Sequence, residues 1–126
     1  MIDSSALVEL VIKSERASAV AQAVGATDMV APDVVNPEVL AALRRLERTG
    51  ELTTQRAVEA LDDLMDAPVR RFSTLPLLAE AWTLRANVSA ADALYVVLAR
   101  VLGCPLVTAD RKLSRAPDLG VPMLTV

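Results

Sequence analysis

Four carboxylates stand out as the residues of this chain that could do chemistry. They are Asp3 in "MIDSSALVEL", Glu38 in "NPEVL", Asp92 in "SAADALYVVLAR" and Asp110 in "CPLVTADRKL". The 126 residues include no histidine and a single cysteine, Cys104. Ser-His and Cys-His catalysis, His-ligated zinc, Cys-based zinc clusters and internal disulfides are therefore excluded. Reactivity has to rest on carboxylates, hydroxyls, Lys and Arg. Taken alone, each acid has an ordinary structural use. Glu38 directly follows the helix-opening Pro37, where the helix dipole favours negative charge. Asp92 lies three residues after Ser89, close to a capping box. Asp3 and Asp110 could be N-caps. Taken together they would repel one another at short range unless a cation sat between them. Hard oxygen donors of this kind suit Mg²⁺ or Mn²⁺, held by one or two carboxylates with water and a phosphate oxygen.

Whether the four acids meet depends on the elements that carry them. Apolar periodicity and punctuation place short strands near Met1–Ile2, Met29–Ala31, Val69–Phe72, Pro105–Thr108 and Pro122–Leu124. Helical patterns fall between them, at about Ala6–Val11, Ser18–Val24, Pro37–Arg48, Thr54–Met65, Leu75–Ala86 and Ala90–Leu102. Gly25, Gly50, Gly103 and Gly120 stand as stop or turn signals. Strands joined by helical crossovers form a parallel sheet of about four or five strands covered on both faces, a three-layer α/β/α arrangement. No repeat or linker interrupts residues 1–126, so one domain is expected. Ligands of such sheets bind at the carboxyl ends of the strands. Asp3, Glu38 and Asp110 all follow strands directly or after a short turn, and Asp92 opens the helix before the fourth strand. The third strand is followed by Ser73 and Thr74 instead.

The ordered set Asp3-x-Ser5-Ala6-Leu7, Glu38 after a Pro-Asp-containing turn, Asp92-Ala93-Leu94-Tyr95, and "LVTADRKL" with Thr108 and Asp110 resembles the PIN-domain ribonucleases, and more narrowly the VapC-type toxins of bacterial toxin–antitoxin pairs. The resemblance runs the whole length to the closing "GVPMLTV". Where that family usually has several apolar residues before its first Asp, only Met1 and Ile2 stand here, so the first strand is expected either to be very short or to lack residues present in the natural start. The resemblance implies a PIN-like fold and a Mg²⁺-dependent ribonuclease, with Mn²⁺ as a plausible substitute. It implies Asp3 and Asp92 as principal metal ligands, Glu38 and Asp110 completing the shell directly or through water, and Ser5 and Thr108 orienting carboxylates or water. It further implies a cognate VapB-type antitoxin and a homodimer.

Net charge is −3, and discounting the four site acids leaves the remainder close to neutral. Arg111 and Lys112 adjoin Asp110 and are the expected RNA phosphate contacts. Arg44, Arg45 and Arg48, the pair Arg70-Arg71, and Arg115 are further cations with a solvated surface as their ordinary reading. Trp82, Tyr95 and Phe72 are too few for a stacking platform, so target choice should depend on RNA shape and backbone. Tyr95, one turn after Asp92, reads as core. In "AVEALDDLMDAP", Ala57, Leu61, Leu64 and Met65 form a helical stripe beneath Asp62, Asp63 and Asp66. The resemblance suggests antitoxin contact for helices of this type. An acid at position 3 and the absence of an 18-residue apolar run fit neither a signal peptide nor a membrane span, so a cytoplasmic protein is expected. Two rivals are a phospho-acceptor receiver domain, which lacks its acceptor Asp after "VRRF", and a catalytically inactive PIN-like domain that only binds RNA or a partner.

Overall fold

The computed structural model describes residues 1–126. Its elements are α1 (Ser4–Val11), α2 (Ala17–Val24), β1 (Met29–Pro32), α3 (Val35–Arg48), α4 (Thr54–Asp66), β2 (Val69–Phe72), a 3₁₀ turn (Leu75–Leu77), α5 (Leu78–Thr83), α6 (Ala90–Leu102), β3 (Leu106–Thr108), α7 (Arg111–Ser114) and β4 (Met123–Thr125). β1 pairs in parallel with β2, and β3 with β4. Ile2 joins the two pairs. Its N–H donates to the Val30 carbonyl at 3.0 Å, while Val107 N–H donates to Met1 O at 2.9 Å and Asp3 N–H to Val107 O at 3.1 Å. The lateral order is therefore β4, β3, the Met1–Asp3 segment, β1, β2. The expected first strand shrinks to this one bridge at Ile2, because Asp3 already caps a helix.

Ile2 is completely buried at the centre of a continuous core that includes Leu7, Val20, Val39, Val97 and Leu106. In this three-layer α/β/α fold, α1 packs against α2 and α3, α3 against α4, and α5 against α6, while α6 also contacts β1 and β3. The limits of α6 are fixed locally. Ser89 caps its start, its side chain accepting the Asp92 N–H, and Gly103 closes it at φ +60°, a left-handed conformation that suits glycine.

The helix expected over Leu75–Ala86 is shorter and broken. A 3₁₀ turn holding Pro76 precedes it, and α5 stops at Thr83 because the following residues turn back through Leu84 O, which accepts from Asn87 and Val88 N–H. The one-turn α7 is capped by Asp110, the ordinary structural use that its position after the strand suggested. On α4 the buried residues are Ala60 and Leu64, whereas Met65, assigned to the buried stripe, is 65% exposed. Its flank opens onto a shallow groove shared with Leu40 and Leu61 of α3 and α4. Arg71 is not a free cation but a brace: its guanidinium donates to Asn36 Oδ1 at 2.7 Å, Val69 O at 2.9 Å and Leu64 O at 3.0 Å. No helix is long and apolar enough to cross a membrane.

Candidate active site

At the carboxyl edge of the sheet, Asp3 emerges from the central bridge and caps α1. Its Oδ1 accepts the Ala6 N–H at 2.8 Å and the Ser5 hydroxyl at 2.7 Å. Ser5 extends the network across the sheet, since its Oγ accepts the Ala109 N–H at 2.9 Å and lies 3.3 Å from Thr108 Oγ1. Thr108 Oγ1 in turn accepts the Asp110 N–H at 2.9 Å. Two hydroxyls thus connect the first acid to the loop that holds the last. Thr108 is fully buried, and as a hydroxyl with partners on both sides it can occupy the core without an unmet polar group. Asp110 Oδ1 caps α7 through the Lys112 N–H at 2.7 Å.

Glu38 reaches the site from the first turn of α3. Its Oε2 accepts the Tyr95 hydroxyl at 2.7 Å. Asp92, one turn before Tyr95 on α6, accepts the Ser89 hydroxyl through Oδ2 at 2.7 Å. Asp3 and Thr108 are the only buried polar residues of the chain. Burial pushes the Asp3 carboxyl above the ordinary aspartate value of 3.8. Hydrogen bonds from Thr108, Ala6 and Ser5 oppose that shift, and the negative charge of Asp92 adds to it. The Tyr95 phenol is raised as well, first by burial and then by its bond to Glu38 and that residue's charge. At neutral pH Tyr95 is therefore a fixed donor to Glu38.

No basic side chain neutralises these four acids. The ion pairs of the fold, Lys13–Asp63, Arg16–Glu9, Arg56 with Glu59 and Asp63, and Arg100–Glu80, involve none of them. Nor do any three carboxylates converge closely enough to enclose an ion by themselves. Each instead leans on a local donor: Ser89 for Asp92, Tyr95 for Glu38 and Lys112 N–H for Asp110. This donor set fits a hard divalent cation. Mg²⁺ keeps several waters and takes one or two carboxylates together with substrate phosphate, so a closed protein cage is not required.

Two clefts flank the acids. One, of about 750 Å³, is lined by Ser5, Glu38, Arg45, Asp110 and Arg111 among others. The second, of about 430 Å³, is lined by Arg85, Asn87, Ser89, Asp92 and Lys112 among others. The consecutive cations Arg111 and Lys112 therefore face different clefts. An apolar cavity of about 390 Å³ at the opposite edge, beside Met1, Val24, Met29 and Cys104, has no basic side chain in its wall and lies apart from this site. Tyr95, read from sequence as core, is both core and Glu38 donor, and Arg45, read as a cation with a solvated surface as its ordinary use, lines the larger cleft. Arg85 was not singled out from sequence and gave no signal beyond its charge.

The sequence matches the PIN domain over residues 1–119. It is 43% identical over 117 residues to Ribonuclease VapC3 of Mycobacterium tuberculosis (strain ATCC 25618 / H37Rv), covering 92% of this chain and 85% of that protein. It is 33% identical over 126 residues to Ribonuclease VapC9 of the same strain, covering 100% and 97%. Against Ribonuclease VapC12, also of that strain, identity is 31% over 116 residues, covering 92% and 90%.

Proposed function

The chain belongs to the PIN-domain family, in its VapC branch, and on that premise we propose that it is a ribonuclease toxin that hydrolyses RNA phosphodiester bonds with a divalent metal ion, Mg²⁺ or alternatively Mn²⁺. The observation that carries the reading is the set of four carboxylates without basic partners at one sheet edge, between clefts lined by cations. Asp3 and Asp92 are the principal metal ligands, with Glu38 and Asp110 completing the set. When bound, the metal lowers the pKa of a water for attack on phosphorus and offsets the charge that develops on the phosphate.

The rest of the work falls to the protein's own side chains. Ser5 and the Ala6 N–H fix the Asp3 carboxylate in one rotamer. Thr108 ties the Asp110 loop to the end of β3. Tyr95 holds Glu38 against its tendency to swing into solvent. Arg111 and Arg45 in one cleft and Lys112 in the other attract and register the RNA backbone. No protein nucleophile is needed, because the metal-activated water is the attacking group.

The same reading makes the protein a single-domain, cytoplasmic homodimer neutralised by a VapB-type antitoxin. Expression without antitoxin should arrest growth and generate new RNA 5′ ends within minutes. Asp3→Ala or Asp92→Ala should remove both effects, and co-expressed antitoxin should suppress them in the wild type. Growth arrest that persists in Asp92→Ala at equal protein level would contradict the assignment and favour a domain that acts by binding.

A further inference from the structure

We propose that the cleft holding Lys112 and Arg85 is a nucleotide subsite next to the scissile position, in which Lys112 takes a phosphate and the Arg85–Trp82 pair stacks a base. The subsite rests on the ribonuclease reading for its place on the RNA. Its physical case comes from the cleft itself. At about 430 Å³ the space lies within the range of about 300–1,000 Å³ typical of small-ligand pockets. Its wall combines two cations with the side-chain amide of Asn87 and a single acid, Asp92, whose Oδ2 already accepts the Ser89 hydroxyl. Neither Arg85 nor Lys112 is tied up in an ion pair, so both keep their charge for an anionic ligand.

Arg85 is also held in place. Its guanidinium carbon sits 4.9 Å from the centre of the Trp82 ring, and Nη1 donates to the Trp82 carbonyl at 3.0 Å. Trp82 is 68% exposed. The guanidinium lies over one face of the exposed indole, and of the pair only Arg85 lines the cleft, so a nucleobase of any identity can stack on the outer face of the guanidinium, with the indole backing it from the rim. One aromatic cannot make an extended platform, but it suffices for one base. The split of Arg111 and Lys112 between two clefts has the same implication. A strand crossing the acids would meet a cation on each side, with this subsite on the α5–α6 side.

Trp82 is the only tryptophan of the chain, so its emission reports the subsite through the Arg85 guanidinium packed on it. A six-nucleotide single-stranded RNA of mixed sequence, titrated in EDTA to prevent cleavage, should quench the fluorescence saturably, and Arg85→Gln and Lys112→Ala should each shift the midpoint to higher RNA concentration. In Mg²⁺, Trp82→Ala should raise KM for RNA cleavage by about 5- to 150-fold, the range expected for one stacked base, with kcat little changed. Absence of quenching, or an unchanged KM in Trp82→Ala while the wild type cleaves normally, would overturn the subsite. So would a Trp82→Ala protein that sediments as a smaller species and binds RNA as before, since the indole would then serve a protein contact. Saturable quenching by RNA that the wild type fails to cleave in Mg²⁺ would leave the subsite standing and remove the ribonuclease reading instead.

Discussion

At the residue scale, the site is a set of charges held by neutral donors, and its energetics depend on protonation. The Asp3 carboxyl titrates above its ordinary value because it is buried and faces Asp92. The folded state therefore keeps this proton to higher pH than the unfolded chain does. Asp3 contributes stability that is fully present below the ordinary value of 3.8 and is lost as pH rises through the raised one. In EDTA, Asp3→Asn, which keeps an oxygen for the Ala6 N–H, should match wild type near pH 3 and melt at a higher temperature than wild type at pH 7. Mg²⁺ should reverse that order by stabilising only the wild type. Thermal melts across pH, with and without metal, test both signs, and an Asn variant that is less stable at pH 7 in EDTA would show that burial of the charge is not costly. Tyr95→Phe removes the donor to Glu38. A hydrogen bond to a charged group is worth about 1.5–3 kcal/mol when buried, and Glu38 is only half-buried, so about 1 kcal/mol of stability should be lost. Cleavage by this variant should fall at limiting Mg²⁺ and recover at excess, which a Mg²⁺ titration of the rate would show.

At the scale of elements, the parts legible in the sequence are those whose limits are set by neighbours in the chain. α6 was read at its true ends because Ser89 and Gly103 mark them, and β2 because Pro68 and Ser73 bracket it. Gly103→Ala tests one such mark. A Cβ there meets no atom within 4 Å, so the cost is the left-handed backbone alone, about 1–2 kcal/mol, measurable by denaturant unfolding with the cleavage rate unchanged under native conditions. A loss of less than a few tenths of a kcal/mol would mean that the α6 end relaxes freely. The carboxyl-edge rule was enough to propose these four acids as one site. It could not reveal what holds them, because those contacts are distant in sequence: Ser5 to Ala109 and Tyr95 to Glu38. Nor could it tell that Arg111 and Lys112 diverge, since side-chain direction on a one-turn helix follows from packing. The region after β2 misled for a related reason. Leu77, Ala81 and Leu84 are buried at helical spacing, so the periodic signal was real, but it does not show that the chain turns back after Thr83, where Leu84 O accepts from Asn87 and Val88 N–H.

At the scale of the molecule, an acidic chain can bind a polyanion because its charges are sorted. The ion pairs involve Lys13, Arg16, Arg56 and Arg100, while Arg45, Arg85, Arg111 and Lys112 stay unpaired beside the acids. Neutralising Arg45 or Arg111 should weaken RNA binding and lower the log–log salt slope by about 0.7 each for single strands. Arg70, exposed at the start of β2 and set over Phe72, is the control, and an equal change there would place the RNA elsewhere. The central claim is that the carboxylate edge is a metal-dependent nuclease centre, and the most direct measurement is single-turnover cleavage of RNA by purified wild type and Asp92→Asn in Mg²⁺, in EDTA and after Mg²⁺ is restored. The wild type should cleave, stop in EDTA and resume on restoration. Asp92→Asn, folded by circular dichroism, should not cleave under any of the three conditions. Cleavage by the wild type in EDTA, or by Asp92→Asn at the wild-type rate, would contradict the account.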